Sequence, residues 1–285
     1  MAGLQSTKTA MVISDLDSTL YPRGGPFGSR DLQTLQSLGK EGIIRVIATG
    51  RSLYSLKKVV APDFPIDYLV FSSGAGIMDW RSKELLKKVK SLKESEVQEA
   101  ALILKSRDLD FMIHRPIPEN HFFTYYPSGR DNPDFESLCL LYREFATPES
   151  LPAGQFPPAC QLLAIENENH RESLYEEIKN ELKSLKVIRT TSPLNGRSTW
   201  IEIFPETVSK GLASSWLAAR LGLKPDQVMA LGNDYNDLDL LHWAGESYVV
   251  ESSPAELKEN FSMITAARKG ENFTAAVQYW LKKHI

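Results

Sequence analysis

The chain has 285 residues, of which 42% are hydrophobic and 24% charged, and its net charge is −3. This balance is typical of a globular protein with a sizeable core, and it excludes an intrinsically disordered chain. Because Lys and Arg are scattered among acidic residues, the composition also argues against a nucleic acid as partner.

The two cysteines, Cys139 and Cys160, are too few for a disulfide framework and lack CxxC spacing. The first residues do not show the charged and apolar regions of a signal peptide, and no apolar run approaches the roughly 20 residues of a membrane span. We therefore expect a cytoplasmic protein, monomeric or homodimeric, with no membrane partner.

Short β-rich runs alternate with helical patterns at both ends of the chain, which favours a parallel sheet with helices on its faces. In chain order these runs are AMVIS (10 to 14), IIRVIAT (43 to 49), YLVFSS (68 to 73), VMALG (228 to 232) and SYVV (247 to 250). Between the first two runs, Leu32, Leu35 and Leu38 have helical spacing, with Ser29 as the expected N-cap and Gly39 at the end.

The middle of the chain has a different order of elements, which predicts an α+β insertion. It reads as a helix near 94 to 107, strands LDFMIHR and HFFTYYPS, a helix near 135 to 146, a Pro- and Gly-rich connection (147 to 159), strand CQLLAIE, a helix at 170 to 185, and strands KVIRTTS and STWIEIF. We therefore expect an α/β fold. Its Rossmann-like doubly wound parallel sheet core would comprise residues 1–82 plus 193–285, and an α+β cap domain would be inserted at 83–192.

Polar and small residues follow four of the expected core strands, where ligands bind in open α/β sheets. In chain order the four groups are Asp15, Asp17, Ser18 and Thr19; Thr49, Gly50 and Arg51; Ser72, Ser73 and Gly74; and Gly232, Asn233, Asp234, Asn236 and Asp237. Oxygen-bearing side chains without a His or Cys cluster favour a hard cation such as Mg²⁺, bound by carboxylates together with phosphate oxygens of a substrate.

Asp15 and Asp17 place two like charges close together at the end of an apolar run. On an extended strand their side chains would face the same side, about 6 to 7 Å apart, and would repel each other. A bound cation would offset this repulsion, and a solvated Asx-type turn would tolerate it. The residues alone leave both interpretations open.

Several hydroxyl and cationic groups suit a phosphate. The hydroxyls of Ser18 and Thr49, with backbone N–H groups after Thr49, match its oxygens, and Lys210 adds a positive charge near the start of a predicted helix. We expect Leu212, Trp216 and Leu217 on the buried side of that helix.

Taken singly, each feature has a structural alternative: a tight connection at ATGR, a surface lysine, or a helix start at NDYNDLDLL whose acids suit the helix dipole. Their order along the chain, each at a predicted strand end or helix start, argues against coincidence.

These motifs resemble those of the haloacid dehalogenase superfamily. The matching stretches are Asp15-Leu16-Asp17-Ser18-Thr19, Thr49-Gly50-Arg51, Lys210-Gly211 and Gly232-Asn233-Asp234-Tyr235-Asn236-Asp237. The long insertion between the second and third motifs, and the run IEIFPETVSKG that leads into the lysine, are similar to the Cof-type branch with a type IIB cap.

The resemblance implies a phosphatase that forms an aspartyl-phosphate. In such an enzyme Asp15 attacks phosphorus, Asp17 protonates the leaving oxygen and later activates water, and Thr49 and Lys210 contact the phosphoryl group. It also implies Mg²⁺ held by Asp15, the backbone carbonyl of Asp17 and a side chain of the fourth motif. For the substrate we expect contacts from Ser18, Gly50, Arg51, Ser73, Gly74 and, from the cap, Arg197.

Three positions depart from the family pattern. Ser18 replaces the usual glycine of DxDGT, and Ser73 stands where the Cof-type branch often has Asn. Asn233 stands where relatives typically place an Asp. Because an amide oxygen binds Mg²⁺ without carrying charge, we expect Asn233 to be a weaker metal ligand with Asp237 behind it; Asp234 or Asp237 are the alternative ligands.

The sequence therefore predicts a Mg²⁺-dependent phosphatase acting on a small phosphorylated metabolite, for which family analogy favours a sugar phosphate. One alternative is a phosphomutase or phosphotransferase that uses the same aspartyl-phosphate. Another is a phosphometabolite-binding regulator without turnover, which Asn233 favours slightly and the intact Asp15, Asp17 and Lys210 argue against. The five histidines are dispersed, and we expect the aromatic run HFFTYY (121 to 126) to pack within the cap's sheet.

Overall fold

The computed structural model describes residues 10–149, 156–167, 174–266, 268 and 270–284. Within them the strands are β1 Met11–Ser14, β2 Ile44–Ala48, β3 Tyr68–Phe71, β4 Gly76–Asp79, β5 Leu85–Lys88, β6 Asp110–His114, β7 Phe123–Tyr126, β8 Ala146–Pro148, β9 Gln161–Glu166, β10 Leu185–Thr191, β11 Thr199–Pro205, β12 Val228–Gly232, β13 Glu246–Val250 and β14 Ser262–Ile264. The α-helices are α1 Ser29–Lys40, α2 Leu53–Lys57, α3 Glu94–Ser106, α4 Pro133–Leu141, α5 Leu174–Glu181, α6 Lys210–Arg220, α7 Leu238–Trp243, α8 Ala255–Asn260 and α9 Asn272–His284. Parts of the expected connection at 147–159 and of the expected helix at 170–185 lie outside the described residues.

The chain forms two compact units. The first unit comprises the described parts of Met1–Thr49, Ala61–Leu86 and Lys210–Ile285, and the second comprises those of Gly50–Val60 and Lys87–Ser209. In the described part of the chain, no helix is both long enough and apolar enough to cross a membrane.

The first unit contains a sheet in the order β14-β13-β12-β1-β2-β3-β4-β5. From β1 the chain adds β2 and β3 on one side and β12, β13 and β14 on the other, and all these strands run parallel. Strand β4 turns back antiparallel to β3. This is the doubly wound α/β core that the sequence predicts, and its five expected strands lie within two residues of their expected positions.

Both faces of this sheet are covered. Met11 and Ile13 of β1 pack in one cluster with Ala213 and Leu217 of α6, and Val12, which alternation directs to the opposite face, is only 1% exposed. The expected orientation of α6 is wrong at one position. Leu212 is 49% exposed, whereas its neighbour Ala213 is buried in the cluster.

The second unit is built on a sheet in the order β10-β11-β9-β6-β7-β8, in which the pairs are antiparallel except for β7 with β8. Leu162 and Ala164 of β9 pack with residues of α3 and α5 on one face. Leu163 and Ile165, which alternate with them, pack with Phe135 of α4 on the other. This is an α+β arrangement with apolar layers on both faces of the sheet.

The units divide the chain at different points from the expected domain boundaries. Residues 193–209, which we expected in the core, belong to the second unit because β11 pairs with β9 and β10. Residues 50–60 belong there as well, whereas 83–86 fall in the first unit, where β5 extends the sheet. The strand that precedes Lys210 therefore completes the second sheet and does not return to the core.

Candidate active site

The carboxyl ends of the parallel strands bring three of the four motifs to one edge of the first sheet. The N–H of Asp15, directly after β1, donates to the carbonyl of Leu231 in β12 at 2.8 Å. The N–H of Thr49, directly after β2, donates to the carbonyl of Val70 in β3 at 2.9 Å, and the Thr49 carbonyl accepts from Ser73 at 3.0 Å. Backbone bonds thus fix the start of each motif against the end of a neighbouring strand.

Asp15 and Asp17 lie beyond the end of β1, so the same-side arrangement considered for an extended strand does not apply to them. Strand β1 ends at Ser14 and the chain then folds into a tight loop, in which the carbonyl of Leu16 accepts from Thr19 at 3.3 Å and from Tyr21 at 2.7 Å. A backbone bridge also joins Asp17 to Tyr21.

Ser18 lies in this loop with a φ of +62°, in the left-handed region that favours glycine. The serine that replaces the family's glycine therefore occupies a position with a real glycine preference. Its N–H donates to the Tyr21 carbonyl at 2.9 Å, which holds the strained residue in the loop.

Lys210 connects the first motif to the fourth. Its Nζ donates to Asp15 Oδ1 at 2.7 Å and to Asp237 Oδ1 at 2.7 Å, and it lies 3.5 Å from Asn236 Oδ1. The lysine side chain is 0% exposed, and those of Asp15 and Asp237 are 6% and 0% exposed. Two carboxylates and one ammonium group therefore share a site that is almost fully buried.

The electrostatics of this cluster are dominated by burial. Burial raises the pKa of Asp15 to about 7; Lys210 opposes this shift, and the negative charges of Asp237 and Asp17 add to it. For Lys210, burial acts to lower the pKa, but attraction to Asp15 and Asp237 outweighs it and holds the pKa above its ordinary value. The lysine therefore stays charged, and its positive charge favours the ionised form of Asp15.

Asp237 has both carboxylate oxygens occupied by the protein. Oδ1 accepts from Lys210, and Oδ2 accepts from the backbone N–H groups of Asn233 at 2.9 Å and Asp234 at 3.2 Å. A Cβ on Gly232 would come within 2.7 Å of the Asp237 Cβ, so a glycine is required beside this carboxylate. This geometry suits the expected place of Asp237 behind the ligands, where it orients Lys210 and the loop after β12.

The oxygen atoms that remain fit a hard cation. Asp15 Oδ2 is buried and has no hydrogen-bond partner among the described residues. Asn233 is partly exposed, and Asp234 accepts from the N–H of Tyr235 through Oδ1 at 2.8 Å. Among the described residues, no three His, Cys, Asp or Glu side chains are grouped as a metal site. The expected ligand set contains fewer side-chain carboxylates than such a group would need, since it relies on a backbone carbonyl and an amide.

The remaining substrate-binding candidates fall in both units. Ser73 and Gly74 form a tight turn after β3, with φ values of +52° and +104°, and both are buried. Gly50 and Arg51 belong to the second unit, where Arg51 Nη1 lies 3.4 Å from the carbonyl oxygen and Oγ of Ser55.

Arg197 also belongs to the second unit. It lies in the loop between β10 and β11, is exposed, and donates its backbone N–H to Asn195 Oδ1 at 2.8 Å.

Two features of this site were not predicted from the sequence. Asn236 is the third group near Lys210 Nζ, and its place directly before Asp237 in the fourth motif was the only available signal. Gly211 allows α6 to approach α7 closely, because a Cβ there would lie 2.7 Å from the carbonyl of Asp239. The Lys-Gly pair thus combines a charged group with the space needed to bring it to the fourth motif.

The sequence is similar to a family of hydrolases and to individual phosphatases. Residues 12–272 match the family of haloacid dehalogenase-like hydrolases. The 5-amino-6-(5-phospho-D-ribitylamino)uracil phosphatase of Bacillus subtilis is 23% identical over 278 residues, which cover 88% of this chain and 91% of that protein. The HMP-PP phosphatase of Yersinia pseudotuberculosis is 22% identical over 277 residues, which cover 94% of this chain and 93% of that protein.

A solved structure of a HAD subclass IIB sugar phosphatase has the same fold. It superposes with a TM-score of 0.74 over 97% of this chain and 100% of its own, at 16% sequence identity. At that identity the likeness concerns the fold alone.

Proposed function

Because this chain belongs to the haloacid dehalogenase-like hydrolase family, we propose that it is a phosphatase that removes the phosphoryl group from small phosphorylated metabolites. The observation that carries this proposal is the buried cluster in which Lys210 Nζ lies 2.7 Å from both Asp15 and Asp237. An acid whose second oxygen is unpaired, held beside a permanently charged lysine, suits a nucleophile that accepts a phosphoryl group.

The proposed reaction has two displacements. In the first, an oxygen of Asp15 bonds to phosphorus as the bond from phosphorus to the leaving oxygen breaks, and Asp17 donates a proton to that oxygen. In the second, Asp17 removes a proton from a water molecule, the water oxygen attacks phosphorus, and the bond from phosphorus to Asp15 breaks. The products are the dephosphorylated metabolite and inorganic phosphate, and Asp15 and Asp17 return to their starting states.

Lys210 and Thr49 are proposed to hold the phosphoryl oxygens. An ammonium group has three N–H donors, and Asp15 and Asp237 use two of them at 2.7 Å. The third faces Asn236 Oδ1 at 3.5 Å, a long contact that an oxygen of the substrate would replace. Because phosphoryl transfer depends mainly on positioning and charge stabilisation, this fixed cation would favour the negative charge that spreads over the transferred group.

Mg²⁺ is the proposed cofactor, with Asp15, the Asp17 carbonyl and Asn233 as its ligands. Bound there, it would supply positive charge to the phosphoryl oxygens and to Asp15. The buried, unpaired Asp15 Oδ2 supports this assignment, and Asp237, whose two oxygens are occupied, is the least suitable of the three fourth-motif candidates. Asp234 remains the alternative ligand.

We propose a sugar phosphate or a related small phosphorylated metabolite as substrate. The support comes from the fold likeness to a sugar phosphatase and from relatives named for small phosphorylated compounds. We further propose that the second unit acts as a cap that contributes specificity, with Arg197 among its contacts. The two free thiols, Cys139 and Cys160, support a cytoplasmic location.

The experiment measures hydrolysis of p-nitrophenyl phosphate with Mg²⁺ and after EDTA treatment. We expect Asp15→Asn to lower kcat by on the order of 10⁴-fold, since the nucleophile is lost. Asp134→Asn, which removes a buried charge from the second unit, is the matched control and should retain activity. Turnover that survives Asp15→Asn, or that continues unchanged in EDTA, would reject the proposed mechanism. A panel of phosphorylated metabolites scored for released phosphate would then identify the substrate, and formation of an isomer in place of phosphate would indicate a mutase.

A further inference from the structure

The second motif is divided between the two units of the protein. Thr49 belongs to the first unit, where backbone hydrogen bonds to Val70 and from Ser73 fix it beside β3. Gly50 and Arg51 belong to the second unit together with α2, and the chain re-enters the first unit at Ala61. The change of unit therefore occurs at a Thr-Gly bond, inside a motif that is expected to bind phosphate.

Helix α2 is fixed within the second unit by an aromatic clasp, which we define as Tyr54, His121, Phe122, Tyr142 and Phe145. The ring of Tyr54 stacks on His121 with centroids 4.5 Å apart and an angle of 12°. Its edge meets Phe145 at 4.8 Å and 67°. The ring of Tyr142 lies farther from Tyr54, at 6.5 Å. Such pairs contribute beyond the area that they bury, and their geometry restrains the helix in orientation as well as distance.

The rest of the clasp supports this stack. His121 packs on Phe122 at 4.5 Å and on Phe145 at 4.9 Å, and Phe122 meets Phe145 edge-on at 5.1 Å. Burial lowers the pKa of His121, so its imidazole is neutral at neutral pH and stacks without a charge to solvate. His121 therefore packs against α2, and Phe122 packs on His121 and Phe145, so these two residues do not pack only within the sheet as we expected.

Two cationic side chains lie over rings of the clasp. Lys58 Nζ lies 4.4 Å from the Tyr54 ring centre and 5.6 Å from that of Tyr142. The guanidinium of Arg115 lies 4.9 Å from the centre of Phe122. Both contacts are cation–π interactions: Lys58, at the end of α2, attracts α2 to Tyr142, whereas Arg115 stabilises Phe122 within the clasp.

Hydrogen bonds join helix α2 to the residues directly before it, Arg51 and Ser52. Ser52 Oγ caps the helix by accepting from the N–H of Ser55 at 3.2 Å, and the Ser52 carbonyl accepts from Leu56 at 2.9 Å. Arg51 is joined to the same turn through its contacts with Ser55. The packing of Tyr54 therefore restrains Arg51 through one helical turn, and with it Gly50, its neighbour in the chain.

From these contacts we infer that Tyr54 is a positioning residue: through the aromatic clasp it fixes Gly50 and Arg51 to the second unit, so that phosphate is bound well only while the clasp is formed. The inference rests on the proposed phosphatase function and adds to it a link between the second unit and the phosphate-binding turn. Tyr54 contacts no reacting atom. Its effect passes through α2 to the residues that are expected to touch the phosphoryl group.

The test compares three variants with the wild type. Tyr54→Leu removes the ring that stacks on His121, and Tyr54→Phe keeps that ring and removes only its hydroxyl. Tyr125→Leu is the matched control, because Tyr125 also makes an aromatic contact in the second unit, with Phe135 at 6.2 Å, but belongs to the cluster around α4. Hydrolysis of p-nitrophenyl phosphate and its inhibition by inorganic phosphate are measured for each.

We expect Tyr54→Leu to raise KM and the inhibition constant of inorganic phosphate together, by about five- to twentyfold, with kcat changed by less than about threefold. Tyr54→Phe should restore both constants to within about twofold of the wild type, and Tyr125→Leu should leave both unchanged. Equal effects of Tyr54→Leu and Tyr125→Leu, or an effect of Tyr54→Leu on kcat alone, would overturn the inference.

Hydrogen exchange separates this inference from the phosphatase proposal. Amides of residues 50–57 should exchange at least about tenfold faster in Tyr54→Leu than in the wild type, with no comparable change in Tyr125→Leu. If the wild type fails to hydrolyse any phosphate ester, the phosphatase proposal fails. Hydrogen exchange of the wild type and Tyr54→Leu, with and without inorganic phosphate, then still decides whether the clasp restrains Gly50 and Arg51. Unchanged exchange at 50–57 in Tyr54→Leu would overturn the inference whatever the activity.

Discussion

Buried aspartates occur in both units of the molecule, but their partners differ. In the second unit, Asp110 accepts from the N–H of Ser128 at 2.6 Å and from Asn132 Nδ2 at 2.8 Å. Asp134 accepts from Ser192 Oγ at 2.9 Å and from Trp200 Nε1 at 2.7 Å. Each oxygen of these two acids accepts a hydrogen bond from a neutral donor. The carboxylates therefore link segments of the fold, and none of their oxygens lacks a hydrogen-bond partner.

The buried aspartates of the first unit differ in their hydrogen-bond partners. Asp15 shares Lys210 with Asp237 and keeps Oδ2 without a partner. Among the described residues Asp31 also has an unpaired Oδ2, yet the donor to its other oxygen, Thr274 in α9, is neutral: Oδ1 accepts from the N–H at 2.8 Å and from Oγ1 at 2.6 Å. An unpaired buried oxygen therefore does not by itself mark a reactive group. What distinguishes Asp15 is the buried cation beside it at the end of a parallel strand.

Lys210 gives the largest expected effect on stability. Lys210→Met would leave Asp15 and Asp237 buried without a cation, and removing one partner of a buried ion pair costs about 3 to 5 kcal/mol of the free energy of unfolding. Urea denaturation of the folded protein measures this loss. Adding Asp15→Asn to Lys210→Met should recover part of it, because one uncompensated charge is removed.

The matched control for Lys210→Met is Arg130→Met, which breaks the pair with Asp108. Both side chains of that pair are well exposed, at 67% and 62%, so its loss should cost less than about 1 kcal/mol. If the two variants lose the same stability, burial does not set the strength of the lysine cluster.

Asp31 should give the next largest effect, visible as a pH dependence. Burial raises its folded-state pKa to about 6 from an ordinary 3.8, so the folded protein binds this proton more tightly than the unfolded chain does. The stabilisation by that proton is complete below pH 3.8 and is lost as the pH rises through about 6. Between pH 4 and pH 7 this amounts to roughly 2 to 3 kcal/mol.

Asp31→Asn should remove this dependence. The free energy of unfolding of the variant, minus that of the wild type, is expected to rise by the same amount between pH 4 and pH 7. Denaturation of both proteins at the two pH values measures the difference. A constant difference would mean that Asp31 titrates alike in the folded and unfolded states.

Asp134 should give a smaller effect that is confined to stability. Asp134→Asn exchanges one acceptor oxygen for an NH₂ group facing Ser192 or Trp200, and a lost buried hydrogen bond of this kind costs about 1 to 3 kcal/mol. The kcat for p-nitrophenyl phosphate should stay within about twofold of the wild type at a temperature where the variant is folded. A large loss of kcat in the folded variant would contradict a purely structural role for the second unit's buried acids.

Asn233 tests whether one more carboxylate improves the first unit's acidic site. Asn233→Asp should lower the Mg²⁺ concentration for half-maximal hydrolysis of p-nitrophenyl phosphate by about tenfold, because a charged oxygen replaces a neutral one. Asn260→Asp adds the same charge at an exposed position of α8 and should have no effect. No tightening in Asn233→Asp would remove Asn233 as the proposed ligand.

Much of the fold was predictable because apolar runs and the polar residues that follow them are local features. The five core strands, the α+β character of the insertion and the membership of the haloacid dehalogenase superfamily are confirmed. The differences from expectation concern the buried side of α6 and the points at which the two units divide the chain. Leu212 fits helical spacing but is exposed, since α6 buries Ala213 and Leu217 against the sheet and Gly211 against α7.

The sequence by itself determined which chemical groups stand at the ends of the strands, because strand, loop and helix starts depend on neighbouring residues. Only the tertiary structure decided which of those groups meet. Lys210 reaches Asp15 across 195 positions of the chain, and both oxygens of Asp237 are occupied by partners that include this lysine. The tertiary structure also divided the Thr49-Gly50-Arg51 motif between two units. Such pairings depend on the packing of distant segments, and no local pattern encodes them.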